Sequence, residues 1–405
     1  MINQWLNVRS LLTEEQLQKI YKYEEVEEYR KYHPAQVIEH AISKERWIGI
    51  PEPVKQSYRM VGRQTPLQRA YRLEKAWGTT NRIYIKREDT LSNGSFKITS
   101  ALPQAYYGSV EGKTAVITET GAGQTGVAAA LAAKLTGLNC KVYMVRSSYE
   151  LKKLRVLMMK MYGADVIASP SDQTEAGRVF LARGERNGSI AFATSEVLEE
   201  IAQANGSINI AGSLFDFVLT YNTVIGLEVI DQLTSHNIEP DIVIGCVGGG
   251  SSFGGFALPL VDYYGERLER VICTESTAIP TLTKGEYGYD YADGEGGGSK
   301  LLMYSLGYDF RPPAMHASGL RYHAAAPIVS HFVNQGIIEA QAFDETEAMA
   351  SAIELARNEG IIASPESSYT INAIKKMCRQ YENRNIVALL TGNGQLDLES
   401  YGGFL

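Results

Sequence analysis

The stretch Asp241-Ile-Val-Ile-Gly-Cys-Val-Gly-Gly-Gly-Ser-Ser252 decides the fold. Residues 241–247 are a continuous apolar run, the composition of a strand buried on both faces, and such strands belong to parallel sheets covered by helices. The glycines that follow mark a strand-to-helix turn. Outward from this point the same rhythm recurs. Residues 114–118 form a short β-prone run, followed by a Gly-rich turn and a helical stretch over 126–135 that Gly137 closes. Residues 140–145 and 165–168 read as further strands, with a helix over 150–162 between them ended by Gly163. Later, 222–233 is helical, 270–275 is strand-like, Asp344-Glu-Thr-Glu347 caps a helix that runs to Gly360, and 386–390 is a last buried strand. Strands alternating with helices in two blocks predict an α/β protein with two open parallel sheets and flanking helices. Ligands of such sheets lie at the carboxyl ends of the strands, in the crevice between domains.

The expected division is a helical extension over 1–62, a smaller domain over 63–220 and a larger domain over 221–405. The extension is rich in Glu, Lys and Tyr, carries the capping-box pattern Thr13-Glu-Glu-Gln16, and reads as exposed. With 405 residues there is room for two cores, and 38 glycines among 44% hydrophobic residues suit a turn-rich globular chain. No run approaches the roughly 20 apolar residues of a membrane span. No basic leader precedes an apolar block at the start, so a cytoplasmic protein is expected. A net charge of −7 argues against a nucleic-acid surface. Cys140, Cys246, Cys273 and Cys378 are scattered, and the six histidines are unpaired at ligand spacing, which predicts reduced thiols and no metal site.

Three elements can carry chemistry. Gly248, Gly249, Gly250, Ser251 and Ser252 follow a strand directly, so their backbone N–H groups and hydroxyls can enclose a phosphate; the other reading is a tight turn. Gly296-Gly-Gly-Ser299 competes for that role, but no strand leads into it, and it reads as a surface loop. Thr120, Gly121, Ala122, Gly123, Gln124 and Thr125 have the same strand-turn-helix setting and suit a carboxylate. Glu119 stands at the mouth of that anion site, either as a proton-handling acid or as a salt-bridged surface residue. Lys97 in Asn93-Gly-Ser-Phe-Lys-Ile98 has apolar neighbours on both sides, which lowers an amine pKa and makes it nucleophilic. Lys86 and Arg87 sit among charges and read as solvated or ion-paired.

Lysine before a helix, carboxylate turn and Gly/Ser loop, in that order, resemble the fold-type II pyridoxal-phosphate enzymes. Gly62-Arg-Gln-Thr-Pro-Leu67, Lys86-Arg-Glu-Asp89, Glu119-Thr-Gly-Ala-Gly-Gln-Thr-Gly126 and Cys246-Val-Gly-Gly-Gly-Ser251 resemble the tryptophan synthase β family, from about residue 60 to 398. Cysteine synthases and serine/threonine dehydratases put Asn in the carboxylate loop and lack the glutamate. Gly319-Leu-Arg-Tyr-His323 and the extension resemble the stand-alone branch, whose members need no α subunit. The resemblance implies a homodimer, binding neither nucleic acid nor membrane, that uses pyridoxal 5'-phosphate. It would make tryptophan or another β-substituted alanine from serine or an activated serine through an aminoacrylate. Lys97 would hold the cofactor as a Schiff base and move the α proton. Gly248 to Ser252 would hold its phosphate and Thr120 to Thr125 the substrate carboxylate. Glu119 would serve the leaving group and the nucleophile. Thr391 would bond the pyridine nitrogen, a neutral partner that keeps the ring a weaker electron sink. Glu366 would lie near the ring. A mobile subdomain over about 112–200 is expected.

Four positions depart from the family pattern: Phe96, Thr125, Tyr369 and Asn393. Either they are lineage changes with tryptophan synthesis kept, or they reshape the acceptor pocket so that indole becomes a poor nucleophile. Arg321 stands where the α-dependent branch has a carboxylate. It would either bind a phosphorylated serine, whose oxygens a guanidinium fork matches, or pair with an acid such as Glu366. The alternative activities are a serine/threonine deaminase and a binding protein that has lost catalysis.

Overall fold

The computed structural model describes residues 2–204, 206–292 and 298–405. Two sheets carry the architecture. The larger has six strands in the order Glu339–Phe343, Arg270–Ser276, Ile242–Cys246, Asn385–Leu390, Arg82–Arg87 and Leu67–Arg69. All neighbours are parallel except the last pair, which is antiparallel. The smaller is wholly parallel, in the order Asp165–Ser169, Asn139–Val145, Ala115–Thr120 and Ser207–Ile208. Ile242–Cys246 lies inside the large sheet with every residue buried, as its unbroken apolar run requires. The chain crosses between the sheets: Arg82–Arg87 pairs with Asn385–Leu390 before the small sheet begins.

The expected strands and helices are present with small shifts of their ends. One shift matters chemically, because the strand Ala115–Thr120 runs through Glu119, fixing this acid on a rigid element. The helix expected over 150–162 is two helices, Arg146–Leu151 and Lys153–Met161, broken at Lys152. Asp344 caps Glu345–Glu359 through the Thr346 N–H, and Thr13 forms the capping box with Gln16.

The N-terminal extension is not exposed. Trp5, Leu6, Val8, Ile20, Val37 and Ile38 are each at most 1% accessible, so the apolar residues spaced among its charges bury one face. Gln4–Leu6 pairs antiparallel with Trp47–Gly49. The Leu6 and Val8 N–H groups donate to Thr223 and Thr220 at 3.0 and 3.3 Å, next to the helix Asp216–Asn222. In the competing glycine loop, Gly296 and Gly297 lie outside the described residues, and Ser299 is buried with its Oγ accepting from the Glu25 N–H at 2.9 Å. Among the described residues no helix is long and apolar enough to cross a membrane.

Candidate active site

Lys97 caps the N-terminus of the helix Ile98–Val110, with its ammonium nitrogen 5.0 Å from the Phe96 ring centroid. Desolvation lowers its pKa to about 8, and the Glu366 carboxylate offsets part of that fall. The turn that leads to Lys97 is fastened to the end of the last buried strand. Phe96 N–H donates to the Thr391 carbonyl at 3.1 Å, and Asn393 N–H to the Gly94 carbonyl at 2.8 Å. Thr391 Oγ1 in turn lies 3.0 Å from Ser367 Oγ. The lysine, more than 250 residues before the carboxylate and the hydroxyl in the chain, thus shares one end of the large sheet with them.

The glycine loop after Ile242–Cys246 closes against Gly319. A methyl group on Gly248 would run into the Gly319 carbonyl oxygen, and one on Gly249 would come within 2.6 Å of Ser213 Oγ. Gly250, at φ +92°, adopts a left-handed conformation open to glycine, and from it the helix Ser251–Tyr264 begins. Its free N–H groups therefore point at the loop, the arrangement that binds anions. Gly319 N–H donates to Glu366 Oε1 at 2.8 Å, while Glu366 Oε2 is buried with no hydrogen-bond partner among the described residues. An orphaned buried carboxylate oxygen costs free energy unless a further polar group meets it. A buried amine of lowered pKa, a glycine cradle with no room for side chains, and an orphaned carboxylate oxygen fit an aldehyde cofactor that carries a phosphate.

The second loop is built in the same way. Thr120 Oγ1 accepts from Gly123 N–H at 3.1 Å, Gly123 sits at φ +98°, and the helix Gln124–Thr136 starts there. Arg155 backs the loop, donating from Nη1 to the Ala122 carbonyl at 2.8 Å and from Nη2 to Asp397 at 2.5 Å. Burial raises the pKa of Glu119, while a hydrogen bond from Asn209 Nδ2 to its Oε2, at 2.9 Å, favours the charged form. Glu119 has no ion-pair partner among the described residues, so it is no solvated salt bridge.

The segment Asn209 to Ser213, which sequence reasoning missed, threads these parts together. Asn209 reaches Glu119, and the Ile210 carbonyl accepts from Thr118 Oγ1 at 3.1 Å. Ala211 exchanges two hydrogen bonds with the Gln104 side chain on the Lys97 helix, at 2.8 and 3.1 Å. A methyl on Gly212 would lie 3.2 Å from Thr125 Oγ1, and Ser213 faces Gly249. Its only signal in the sequence is a short run of small and polar residues after a strand, which loops of every kind share.

Other expected positions fall differently. Lys86 is fully buried and ion-paired with Glu228 at 2.7 Å, so of its two readings the paired one holds. Tyr369 lies wholly inside the core of the large sheet, and Asn393 Oδ1 caps the short helix Gly394–Asp397. These two departures answer to packing and capping. Arg321 is exposed and donates to the Pro312 carbonyl at 3.1 Å; Glu366 is not its partner.

A family described as "Pyridoxal-phosphate dependent enzyme" matches residues 58–392. The "Tryptophan synthase beta chain" of Pyrobaculum aerophilum is 46% identical over 377 residues, spanning 92% of this chain and 91% of that one. The "Tryptophan synthase beta chain 2" of Methanothermobacter thermautotrophicus is 45% identical over 376 residues, 91% of this chain and 88% of that one. The processed form of threonine deaminase isoform 2 from Solanum lycopersicum shares the fold, with a TM-score of 0.64, 19% identity, and coverage of 88% of this chain and 94% of that one.

Proposed function

The chain belongs to the tryptophan synthase β chains among the pyridoxal-phosphate dependent enzymes, which catalyse β-substitution, and from that premise we propose that it makes tryptophan from serine or an activated serine and indole. The carrying observation is the convergence of Glu119, both glycine loops and, through Gln104, the helix that Lys97 caps on the Asn209 to Ser213 segment. Two of the four departures from the family pattern serve packing and capping, which removes much of the support for an altered acceptor.

When bound, pyridoxal phosphate supplies a carbonyl that an amine can capture and a ring that accepts electrons from the substrate α-carbon. Gly248 to Ser252 would hold its phosphate through N–H groups at the start of Ser251–Tyr264. The Thr391 hydroxyl would bond the ring nitrogen, with Cys246 Sγ and Ser367 Oγ at 3.9 and 3.0 Å from its Oγ1. Lys97, whose pKa burial lowers to about 8, would be the amine that holds the cofactor carbonyl, and its neutral form would take up the substrate α proton. Thr120 to Thr125 take the substrate carboxylate at the N-terminus of Gln124–Thr136. Glu119, kept protonated more readily by burial, gives its proton to the departing β oxygen and recovers one from the incoming nucleophile.

We assign the finer features in the same spirit. The segment about 112–200 moves as a unit over the substrate, and the protein is a cytoplasmic homodimer that works without an α subunit. Arg321, paired with no acid among the described residues, favours an anionic leaving group on the serine. Borohydride treatment of the loaded enzyme, then peptide mapping, tests the core of the reading: the cofactor is expected on the peptide containing Lys97. Serine with a panel of nucleophiles is expected to give tryptophan from indole with the best kcat/KM. Cofactor on another lysine, or keto acid as the sole product with every nucleophile, would overturn it.

A further inference from the structure

Glu119 lies on the face of the small sheet that the helix Ile190–Gln203 covers, since it shares that face with Ile117 by strand alternation and stands opposite Tyr143 in register. Among the described residues one side chain donates to it, Asn209, from Nδ2 to Oε2 at 2.9 Å. The same Nδ2 donates to the Ile117 carbonyl at 3.3 Å. Both partners are acceptors, so the amide must present its nitrogen here and its orientation is fixed.

Asn209 is itself held at its backbone by two residues of the N-terminal extension. Its N–H donates to the Tyr32 carbonyl at 2.7 Å, and its carbonyl accepts from His33 Nδ1 at 3.2 Å. A carbonyl can only accept, so His33 carries its proton on Nδ1. Burial lowers the His33 pKa to about 4, which keeps the ring neutral and this tautomer in place at neutral pH. The ring is clamped edge-on by Phe215 and Phe217, with centroids 5.7 and 5.4 Å away.

We propose that Asn209 is the positioning residue of Glu119, and that the N-terminal extension, through Tyr32 and His33, is a built part of the acid–base site. This rests on the role given to Glu119 above. A carboxylic acid that must both give and take a proton needs a fixed rotamer and a stabilised charged form, and one directed N–H supplies both. The titratable groups on this face are Tyr143, Lys141, Asp165, Tyr32, His33, Glu196 and Glu200. Tyr143 and Lys141 both donate to Glu200, at 2.5 and 2.6 Å, and Glu196 is occupied by Ser169, Ser171 and Thr174. None of them adds a charge effect on Glu119, which leaves Asn209 as the side chain that tunes it.

The test uses the full-length holoenzyme with L-serine and indole. The Glu119 carboxyl is titrated directly by infrared difference spectroscopy without substrate, its band assigned as the one missing in Glu119→Gln. Asn209→Ala should move that midpoint up by about one pH unit, since hydrogen bonds to charged groups are worth that much. The limb of the kcat profile that Glu119→Gln abolishes should move with it, while cofactor loading and its visible spectrum stay unchanged. His33→Phe keeps the ring packing, never touches Glu119, and should give a smaller shift in the same direction. Asn209→Ser, a shorter donor, should recover part of the loss. If Glu119→Gln leaves the rate intact, the functional reading fails and this proposal with it. If Glu119→Gln abolishes turnover while Asn209→Ala leaves the midpoint and the profile in place, only the positioning role is overturned. An unmoved midpoint in His33→Phe overturns the part assigned to the extension.

Discussion

Replacing Asp397 with asparagine puts strain on the tie between the carboxylate loop and the last glycine loop. Asp397 Oδ2 receives a hydrogen bond from Arg155 Nη2 at 2.5 Å, and both side chains are 2% exposed. Its Oδ1 meets Lys152 Nζ at 2.9 Å, but that lysine is 24% exposed. Asp397→Asn leaves the Arg155 guanidinium buried without a counterion, which costs about 3–5 kcal/mol. Lys152→Met removes a partner that water already reaches, at a cost below about 1 kcal/mol. Arg155 also holds the Ala122 carbonyl at 2.8 Å, so part of the larger cost should be relieved by displacing the carboxylate loop. If about 1.4 kcal/mol is spent there, KM for serine rises roughly tenfold. The assay is a pair of urea unfolding curves beside KM for serine in both variants. Asp397→Asn costing no more than Lys152→Met, with KM unchanged, would refute the reasoning: Arg155 would then have found solvent, and the tie would carry nothing.

The remaining predictions concern single groups. Capture of added cofactor by the apo-protein should quicken about tenfold per pH unit and level off above about pH 8, as the neutral fraction of Lys97 saturates. Because the folded pKa of Lys97 lies below its ordinary 10.5, folding releases a proton between about pH 8 and 10.5. The apo-protein should therefore gain stability as pH rises through that window, by no more than about 3 kcal/mol, and Lys97→Met should abolish the slope in urea midpoints. Glu119→Gln should bind serine with little change and lose roughly 10²- to 10⁴-fold in kcat; single-turnover kinetics separate the two. Gly248→Ala should weaken cofactor binding, read by equilibrium dialysis, because its methyl would meet the Gly319 carbonyl. O-phosphoserine should outperform serine in the native enzyme and lose that advantage in Arg321→Ala; equal effects on both donors would make Arg321 structural.

The local order of residues fixed a good deal without tertiary information. An apolar run ending in Gly248 to Ser252 can only be satisfied as a buried parallel strand feeding a helix, because backbone and side-chain burial both demand it. Lys97 between apolar neighbours was legible for the same reason, since local composition sets local desolvation. Glu119 was legible as an acid beside a glycine turn that opens a helix, though not its place inside a strand. What the sequence could not supply were relations between distant segments. Asn209 has nothing local to mark it, and its role arises because Tyr32, His33, Ile117 and Glu119 meet it from separate parts of the chain. The extension read as exposed because it is rich in Glu, Lys and Tyr, and only packing against Asp216–Asn222 reveals that its apolar residues are buried. Tyr369 was read by its position beside a functional motif, yet its side-chain direction, into the core of the large sheet, decided it. Secondary structure follows from neighbours along the chain, whereas hydrogen-bond partners and burial follow from neighbours in space, and those the folded chain alone decides.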